Sequence, residues 1–338
     1  MNPALPSALT EALAALLNGV SRKDLAAAAG QMSAGYRSGA TSQGIVTAGQ
    51  AAAYAVARMP ATYAACAAVF GRVAEVMPDF APASLLDVGA GTGAASWAAV
   101  TQWPGLETVT MLDHNPALRS LARKLADAGP LAAAAILSAD LGLRATRPAT
   151  AQRGARQRSE PREPGTDKPQ ADVTVASYVL AELPQASAAP TARHLWASVA
   201  RALVLIEPGT PVGFARIRAA RTALIADGAH VAAPCTHDNA CPMAGDDWCH
   251  FSQRLPRSRD HMLLKGANVP FEDERYSYVV VTREKVSSGA RILAPPLESK
   301  PGLTFKLCDE SGLHAQFVAS RDKEEYRRVR KRDWGDLF

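Results

Sequence analysis

Four cysteines in the last third of the chain are the residues best suited to binding a metal. They are Cys235, Cys241, Cys249 and Cys308, with five, seven and 58 residues between successive members. Zinc ribbons pair their cysteines two to four residues apart, and this spacing does not match them. Four thiolates gathered from a loop and a distant strand suit an iron–sulfur cluster, because its ligands need only converge in space. The spacing favours a 4Fe-4S cluster, with zinc and unliganded buried thiols as alternatives.

Two histidines and a fifth cysteine complete the set of soft donors. His237 and His250 lie inside the same segment, and an imidazole can replace a thiolate on zinc, which keeps zinc as an alternative. Each histidine could instead lie at the surface or cap a helix. Cys66 falls in an Ala-rich helical stretch, and we expect it to pack as a small hydrophobic side chain.

A glycine-rich turn near residue 90 is the second candidate for chemistry. An apolar strand ends there and a helical stretch follows, so glycines would let a ligand approach the backbone closely. The next strand ends in Asp113, about 20 residues beyond the last glycine, where a carboxylate can accept hydrogen bonds from ribose hydroxyls. A turn without a ligand, and Asp113 as a helix N-cap, are the alternatives. The turn reads Asp87-Val-Gly89-Ala90-Gly91-Thr-Gly93.

The glycine spacing argues against a dinucleotide. The turn lacks the Gly-x-Gly-x-x-Gly fingerprint, and Asp87 would repel a pyrophosphate. A ligand with a cationic centre and an amino-acid moiety fits better. The turn and Asp113 resemble the first two motifs of class I S-adenosylmethionine-dependent methyltransferases. That resemblance implies S-adenosylmethionine as cofactor, bound at Asp87, Gly89, Ala90, Gly91, Gly93, Asp113, His114, Asp140 and Leu141.

The sequence leaves the catalytic residues unassigned. The Asn/Asp-Pro-Pro-aromatic turn of amine methyltransferases is absent after the fourth strand. No cysteine between Cys66 and Cys235 could act as the nucleophile that pyrimidine C5 methylation needs. Tyr178 or Glu182 could orient an acceptor, although a packed aromatic ring and a solvated carboxylate are the simpler interpretations.

An α/β core must position these residues. Apolar runs separated by helix-length stretches predict βαβ units and a parallel sheet covered on both faces. The fold class is therefore α/β, a Rossmann-like class I methyltransferase core with an N-terminal helical region and a cysteine-rich C-terminal extension. The predicted strands are 84–88, 108–112, 135–138, 173–177, 203–206 and 276–282.

Three regions follow from this pattern: a helical region at 1–80, the S-adenosylmethionine-binding core at 81–230, and the cysteine-rich extension at 231–338. A long helix at 48–77 should kink or break at Pro60. Residues 144–170 contain four prolines, two glycines and no Val, Ile, Leu, Met or aromatic residue, which predicts a disordered insertion. The extension should contain a hairpin with its tip at 309–312 and end in a basic helix.

Composition bounds the class of protein. The chain has 338 residues, 37 basic and 32 acidic, which excludes a fibrous or wholly disordered protein. No uncharged apolar run is long enough to span a membrane, and we recognise no signal peptide or mitochondrial presequence. We therefore expect a cytoplasmic protein with reduced cysteines and no membrane association.

Basic charge is concentrated in two segments that predict contact with RNA. Residues 144–170 and 321–332 each contain seven basic and three acidic side chains. Lysines and arginines bind phosphates, while aromatic rings such as Tyr326 and Trp334 can stack on unpaired bases. A solvated helical face is the alternative. Four further basic residues follow the third cysteine: Arg254, Arg257, Arg259 and Lys265.

The segment around the cysteines resembles one family closely. Its sequence begins Pro234-Cys-Thr-His-Asp-Asn-Ala-Cys-Pro-Met, and the segments at 57–63 and 330–336 are similar to the same family. This is the family of methyltransferase-like protein seventeen, also known through a mitochondrial small-ribosomal-subunit protein. The resemblance implies a methyltransferase fold, action on the small ribosomal subunit, and cluster ligation by Cys235, Cys241, Cys249 and Cys308.

The expected function is that of a methyltransferase-like protein acting on small-subunit ribosomal RNA or on subunit assembly. The resemblance implies the cofactor pocket more firmly than turnover, so a non-catalytic assembly factor that binds RNA is the main alternative. A small-molecule methyltransferase without affinity for RNA is another. The absence of a recognisable presequence indicates a bacterial-type member, and we expect a monomer off the ribosome.

Overall fold

The computed structural model describes residues 4–37, 41–139, 170–286 and 289–338. Of the predicted insertion at 144–170, all but Gln170 lies outside the described residues, as do Asp140 and Leu141. Within the described ranges, no helix combines the length and the apolar character needed to cross a bilayer.

Three helices precede the sheet, as predicted: α1 (Ser7–Ala15), α2 (Arg22–Arg37) and α3 (Ala48–Val76). Helix α3 begins at a reciprocal cap, in which the side chains of Thr47 and Gln50 each accept a hydrogen bond from the other's backbone N–H. It continues through Pro60 as one helix, so the predicted break is wrong. The helix is buried on both sides of this proline, and tertiary packing compensates for the missing backbone hydrogen bond.

An eight-stranded sheet forms the centre of the molecule, in the order β3-β2-β1-β4-β5-β8-β6 with β7 paired to β8. Neighbours from β3 to β5 are parallel, whereas β8 is antiparallel to β5, β6 and β7. All six predicted strands are present, and two further strands were not predicted, β6 and β7. The strands are β1 (Ser84–Val88), β2 (Thr108–Asp113), β3 (Ala135–Ser138), β4 (Ala171–Ser177), β5 (Val199–Pro208), β6 (His230–Ala233), β7 (Phe251–Pro256) and β8 (Phe271–Thr282).

Helices cover both faces of this sheet, as the apolar runs predict. In β5, Val204 and Ile206 pack into the cluster that contains α3, whereas Leu203 and Leu205 pack into the cluster on the opposite face. A strand buried on both sides needs continuous apolar sequence, which explains its run of aliphatic residues. The covering helices include α4 (Ala94–Gln102), α5 (Pro116–Ala126), α6 (Ala188–Trp196), α7 (Pro211–Ala226) and α8 (Arg259–Lys265).

A second, small sheet closes the chain. The predicted hairpin is confirmed, with Asp309 paired to Gly312 at its tip. The inner face packs Leu303, Phe305 and Leu307 under the C-terminal helix. The elements are β9 (Arg291–Ile292), β10 (Leu297–Ser299), β11 (Gly302–Asp309), β12 (Gly312–Ala319) and α9 (Lys323–Val329). The strand order and helical layers confirm the α/β, Rossmann-like core, while the three region boundaries stay predictions.

Candidate functional site

The glycine turn between β1 and α4 forms one wall of a pocket at the carboxyl ends of the strands. Gly89, Gly91 and Gly93 all have positive φ angles, of 68°, 55° and 83°. A Cβ at Gly89 would lie 2.4 Å from Val179, and one at Gly93 would lie 3.2 Å from the Met111 sulfur. A Cβ at Gly91 would meet nothing within 4 Å. Of the three glycines, Gly91 is therefore the one that faces open space, where a ligand can approach the backbone.

Helix α3 supplies the opposite wall of this pocket. Tyr54, Met59 and Thr62 face the glycine turn, and Ser177 and Tyr178 close the pocket at the end of β4. The N-terminal helical region thus completes a site that the sequence places wholly in the core. Of the predicted cofactor residues, Gly89, Ala90 and Gly91 line this pocket, and the cofactor site itself stays a prediction.

Asp87 lies in β1 and bonds to the first turn of α4. Its Oδ2 accepts hydrogen bonds from the Ser96 backbone N–H (3.1 Å) and hydroxyl (2.7 Å), and the carboxyl is fully buried. Burial raises its pKa to about 6, although the bonds from Ser96 act in the opposite direction. The structure therefore places Asp87 against the first turn of α4, where it fixes the helix.

Asp113 ends β2 and connects the glycine turn to the start of α5. Its Oδ2 accepts from the Gly91 N–H at 2.8 Å and its Oδ1 from the Asn115 N–H at 2.7 Å. Each carboxylate oxygen has a second lone pair, so ribose hydroxyls can still donate to it. His114 is half-exposed beside it, with Nδ1 3.9 Å from Asp113 Oδ1.

Tyr178 has a strained backbone at the pocket rim. Its φ of 61° lies in the left-handed region, which is costly for an aromatic residue and recurs at functional sites. Its hydroxyl donates to Glu274 Oε1 at 2.7 Å, and the Arg58 guanidinium lies 3.6 Å from the same oxygen. Burial and the Glu274 carboxylate raise the Tyr178 pKa well above its ordinary value. The ring is held by this polar cluster as well as by packing.

The segment before α3 is hydrogen-bonded to residues that follow β2 and β4 at the same edge of the sheet. Glu182 accepts hydrogen bonds from the Ser42 N–H (3.1 Å) and hydroxyl (2.7 Å), and the Asn115 side chain donates to the carbonyls of Ser42 and Ile45. The interpretation of Glu182 as a solvated carboxylate is wrong, because both of its oxygens hold this segment. No sequence pattern points to this contact, since the partners are 140 residues apart.

All four predicted cysteine ligands line one cavity. The connection between β6 and β7 carries Cys235, Cys241 and Cys249, and β11 carries Cys308. The remaining wall consists of apolar side chains and three arginines from α7 and β9: Arg218, Arg221 and Arg291. Cys308 thus lies on the hairpin, as the sequence predicted, and lines the same cavity as the three loop cysteines.

Three contacts hold the hairpin against the cysteine loop. His237 Nε2 lies 3.6 Å from Cys308 Sγ, and the Asn239 side chain donates to the Glu310 carbonyl at 3.3 Å. At the surface, Lys306 pairs with Asp247 at 2.5 Å. These contacts position Cys308 opposite the three loop cysteines.

Cys308 is buried and the other three cavity cysteines are half-buried, and the four thiols do not converge on one point. Within the described ranges, no group of three or more His, Cys, Asp or Glu side chains could hold a single metal ion. Burial raises the pKa of Cys308 to about 12 and that of Cys249 well above its ordinary value, and the neighbouring cysteines add to both shifts. Thiols with such pKa values are neutral at pH 7. Cys66 is separate and fully buried in the core, which confirms the prediction that it packs as a hydrophobic side chain.

The basic residues after Cys249 are largely neutralised within the chain. Arg254 makes two 2.8 Å bonds to Asp273 and stacks over the Phe271 ring. Arg257 and Lys265 both pair with Glu272. Burial raises the pKa of Glu272, but hydrogen bonds from His261 and Lys265 hold it far below its ordinary value. Of the four predicted contacts, Arg259 is the exposed one without an ion pair among the described residues.

The C-terminal tail has the opposite character. Arg328 pairs with Glu325, and its guanidinium lies over the Phe338 ring. The other six basic side chains are exposed and make no ion pair within the part of the chain that the structure describes. They are Arg321, Lys323, Arg327, Arg330, Lys331 and Arg332.

The strand order and the glycine turn that ends β1 define a Rossmann-like class I methyltransferase fold. A family profile described as mitochondrial small ribosomal subunit Rsm22 matches residues 48–338. The chain belongs to this family, which confirms the resemblance seen in its cysteine segment.

Individual relatives show the same family similarity. Human ribosome assembly protein METTL17, mitochondrial, is 29% identical over 319 residues, covering 86% of this chain and 63% of the relative. Rsm22-cox11 tandem protein 2, mitochondrial, of Schizosaccharomyces pombe is 27% identical, covering 86% and 43%. The chain thus spans less than two thirds of each of these relatives. Synechocystis magnesium protoporphyrin IX methyltransferase aligns with a TM-score of 0.38 and 14% identity over 66% of this chain and 80% of its own.

The expectation of a cytoplasmic location is wrong by this comparison. The family is described as a mitochondrial small-ribosomal-subunit family, and the relatives are mitochondrial proteins. The first residues of the chain lack the composition of a presequence, and composition alone misled the assignment. The bacterial-type attribution depended on the same reasoning and finds no support in these relatives.

Proposed function

We propose that this chain is a methyltransferase-like assembly protein of the small ribosomal subunit that binds S-adenosylmethionine and carries a 4Fe-4S cluster. The observation that carries the proposal is the convergence of four cysteines, from a loop and a distant hairpin, on one cavity in a chain of this family. METTL17 is named as a ribosome assembly protein, and the similarity over most of this chain supports the same role here.

The glycine-turn pocket fits S-adenosylmethionine. Gly91 offers an open backbone face, and the N-terminus of α4 directs N–H groups toward a carboxylate. The bound cofactor would supply an electrophilic methyl group. In this proposal Gly89, Ala90 and Gly91 line the pocket beside its amino-acid moiety, while Gly93 and Asp87 shape the turn. Asp113 accepts the ribose hydroxyls, with His114 at the rim.

The cysteine cavity fits a cluster better than a single ion. One zinc ion needs four donors about 2.0–2.3 Å from a single point, whereas a cubane binds each thiolate at a separate iron and accommodates wider spacing. The four thiols line one cavity, and the proposal assigns each of them to a separate iron. Cys235, Cys241, Cys249 and Cys308 would be its ligands, and the C-terminal third would be the cysteine-rich extension.

The unpaired tail supports contact with ribosomal RNA. Its six free cations can each replace a counterion on a phosphate, and such contacts are independent of base sequence. The test is co-sedimentation of the chain with purified small ribosomal subunits at increasing salt, using a variant in which the tail arginines are glutamines. We expect salt-sensitive binding that the variant loses.

We also propose a monomer off the ribosome, and light scattering that gives twice the chain mass would contradict this.

Methyl transfer to RNA is the second candidate, and the Tyr178 cluster favours it. A strained tyrosine at the donor pocket, bonded to Glu274, is placed to orient an acceptor. Proximity and orientation would then supply much of the acceleration. A methylation assay on small subunits with wild type and Tyr178→Phe tests this. Methyl incorporation that falls at least tenfold in the variant supports catalysis. If wild type incorporates no methyl group, assembly is the one proposed function that stands.

A further inference from the structure

Arg221 is a buried cation without a carboxylate partner among the described residues. It lies in α7, is 3% exposed, and donates from Nη2 to the carbonyls of His237 and Asn239, both at 2.8 Å. Its Nε has no hydrogen-bond partner. A buried charge held by neutral acceptors is costly, so its presence calls for an anion that the protein part does not supply.

The cysteine cavity is the place where that anion would lie. Arg221 lines the cavity together with all four thiols. The carbonyls that it bonds, those of His237 and Asn239, belong to the loop between Cys235 and Cys241, so the guanidinium is held against the cysteine loop.

Arg291 provides a second cation on the far wall. It is fully buried and lies opposite Cys308 in the pairing of β9 with β11. Its Nη1 donates to Glu75 and to the Gly335 carbonyl, both at 2.8 Å, and its Nε donates to the Pro234 carbonyl at 3.1 Å. Its Nη2 has no partner. Because Glu75 already offsets its charge, Arg291 contributes less than Arg221.

We propose that Arg221, assisted by Arg291, is the electrostatic partner of an anionic metal–thiolate centre in this cavity. The inference rests on the proposed cluster, whose four cysteinate ligands give it a net negative charge. Both arginines are positioning residues that supply positive charge and N–H donors to the sulfur atoms. Net charge and hydrogen bonds to sulfur set the potential of such a centre. Because reduction adds negative charge, these cations stabilise the reduced form and raise the reduction potential.

The test compares Arg221→Gln and Arg221→Lys with Arg283→Gln in the full chain, purified without oxygen. Arg283 is the matched control, because it donates to the carbonyls of Trp196 and Val199, outside the cavity, and its loss changes the net charge equally. The midpoint potential is measured by dithionite titration with electron paramagnetic resonance, and iron release to a chelator is followed in time. We expect Arg221→Gln to lower the potential and to speed iron release about tenfold. The lysine variant should recover most of the potential, and the control should match wild type.

Two outcomes overturn the inference. One is an Arg221→Gln protein that folds, holds its iron as wild type does and keeps the wild-type potential. A wild type without iron and sulfide would refute the cluster itself, and the inference would then be tested with zinc. In that case Arg221→Gln should bind zinc at least about tenfold more weakly than Arg283→Gln. Equal zinc affinities would show that Arg221 does not serve an anionic centre.

Discussion

The glycine-turn pocket and the cysteine cavity differ in how their polar groups are satisfied. In the pocket, Asp113 uses both carboxylate oxygens and Asp87 Oδ2 bonds Ser96, while Asp87 Oδ1 has no partner. In the cavity, burial raises the pKa of Cys249 and Cys308, and Arg221 and Arg291 each have a nitrogen without a partner. The unpaired atom beside the pocket is thus a carboxylate oxygen, whereas those of the cavity belong to cations, which the proposed anionic centre would complement.

The two sites are joined by helix α3. Its middle forms a wall of the pocket, and its end carries Glu75, which binds Arg291 and Arg72. Arg72 in turn pairs with Asp336 near the C-terminus at 2.8 Å, and Trp334 packs edge-on against His250 beside Cys249. The cavity therefore supports the tail directly, while the pocket has no contact of this kind with it among those described.

The largest expected effect is on metal content and stability when a cavity cysteine is changed. Cys249→Ser should remove the metal and lower the unfolding free energy by about 3 kcal/mol, a loss of about 5–10 °C in melting temperature, because metal binding is coupled to folding. Iron analysis and calorimetry measure both. Cys66→Ser is the control, since it should keep its iron even if its buried hydroxyl destabilises the core. Equal iron in both variants would contradict the assignment.

The second effect is on RNA binding, and it compares the basic tail with the arginines that follow Cys249. Replacing Arg330, Lys331 and Arg332 by glutamine should weaken RNA binding and reduce the slope of log affinity against log salt by about one unit per lost phosphate contact. Replacing Arg254 and Arg257 is the control and should change the slope little, because both are paired internally. Identical slopes for the two variants would make the tail a solvated helix.

The third effect is on cofactor affinity in the glycine-turn pocket. Gly91→Ala would strain a residue at φ 55° and place a methyl group in the open space, so S-adenosylmethionine affinity should fall about tenfold. Gly19→Ala is a matched control, with φ 73° and open surroundings far along the chain. Calorimetry gives both affinities, and iron content should stay unchanged. Equal loss of affinity in both variants would point to a general effect of strain.

The last effect is on the pH dependence of stability, and it comes from a buried group that lies outside the cavity lining. Glu207 is fully buried, accepts the Leu180 N–H through Oε1 at 2.7 Å, and has no partner for Oε2. Burial raises its pKa to about 8, so the folded chain keeps a proton that the unfolded chain releases above its ordinary pKa of 4.5. Stability should therefore fall from about pH 5 to pH 8, by at most about 1.4 kcal/mol per pH unit from this group. Urea unfolding of Glu207→Gln should show a flatter profile, and an unchanged profile would contradict this.

The features that could be predicted from the sequence are those that depend on residues close together in the chain. The strands β1 to β5, the hairpin and the cysteines were recoverable because each depends on a short run of residues with a clear pattern. Strand β7 was missed because Phe251–Pro256 mixes polar and apolar residues without alternation. The glycine turn after β1 was similarly readable, since glycines mark backbone conformation directly.

What the sequence could not predict depends on distant partners. The Ser42–Glu182 contact, the pairing of Arg254 with Asp273 and the burial of Arg221 behind the cysteines all arise when the sheet assembles. A charged residue in a sequence suggests a solvated surface, and only the fold shows that some are buried or neutralised. The unexpected continuity of α3 through Pro60 has the same origin, because tertiary packing outweighs a local helix breaker.

Iron and acid-labile sulfide analysis of the anaerobically purified full chain tests the central claim most directly. Wild type should contain about four irons and four sulfides per chain, and a variant with all four cavity cysteines changed to serine should contain neither. One zinc per chain without sulfide would contradict the cluster. A metal-free wild type whose four thiols titrate freely after unfolding would contradict any metal centre in the cavity.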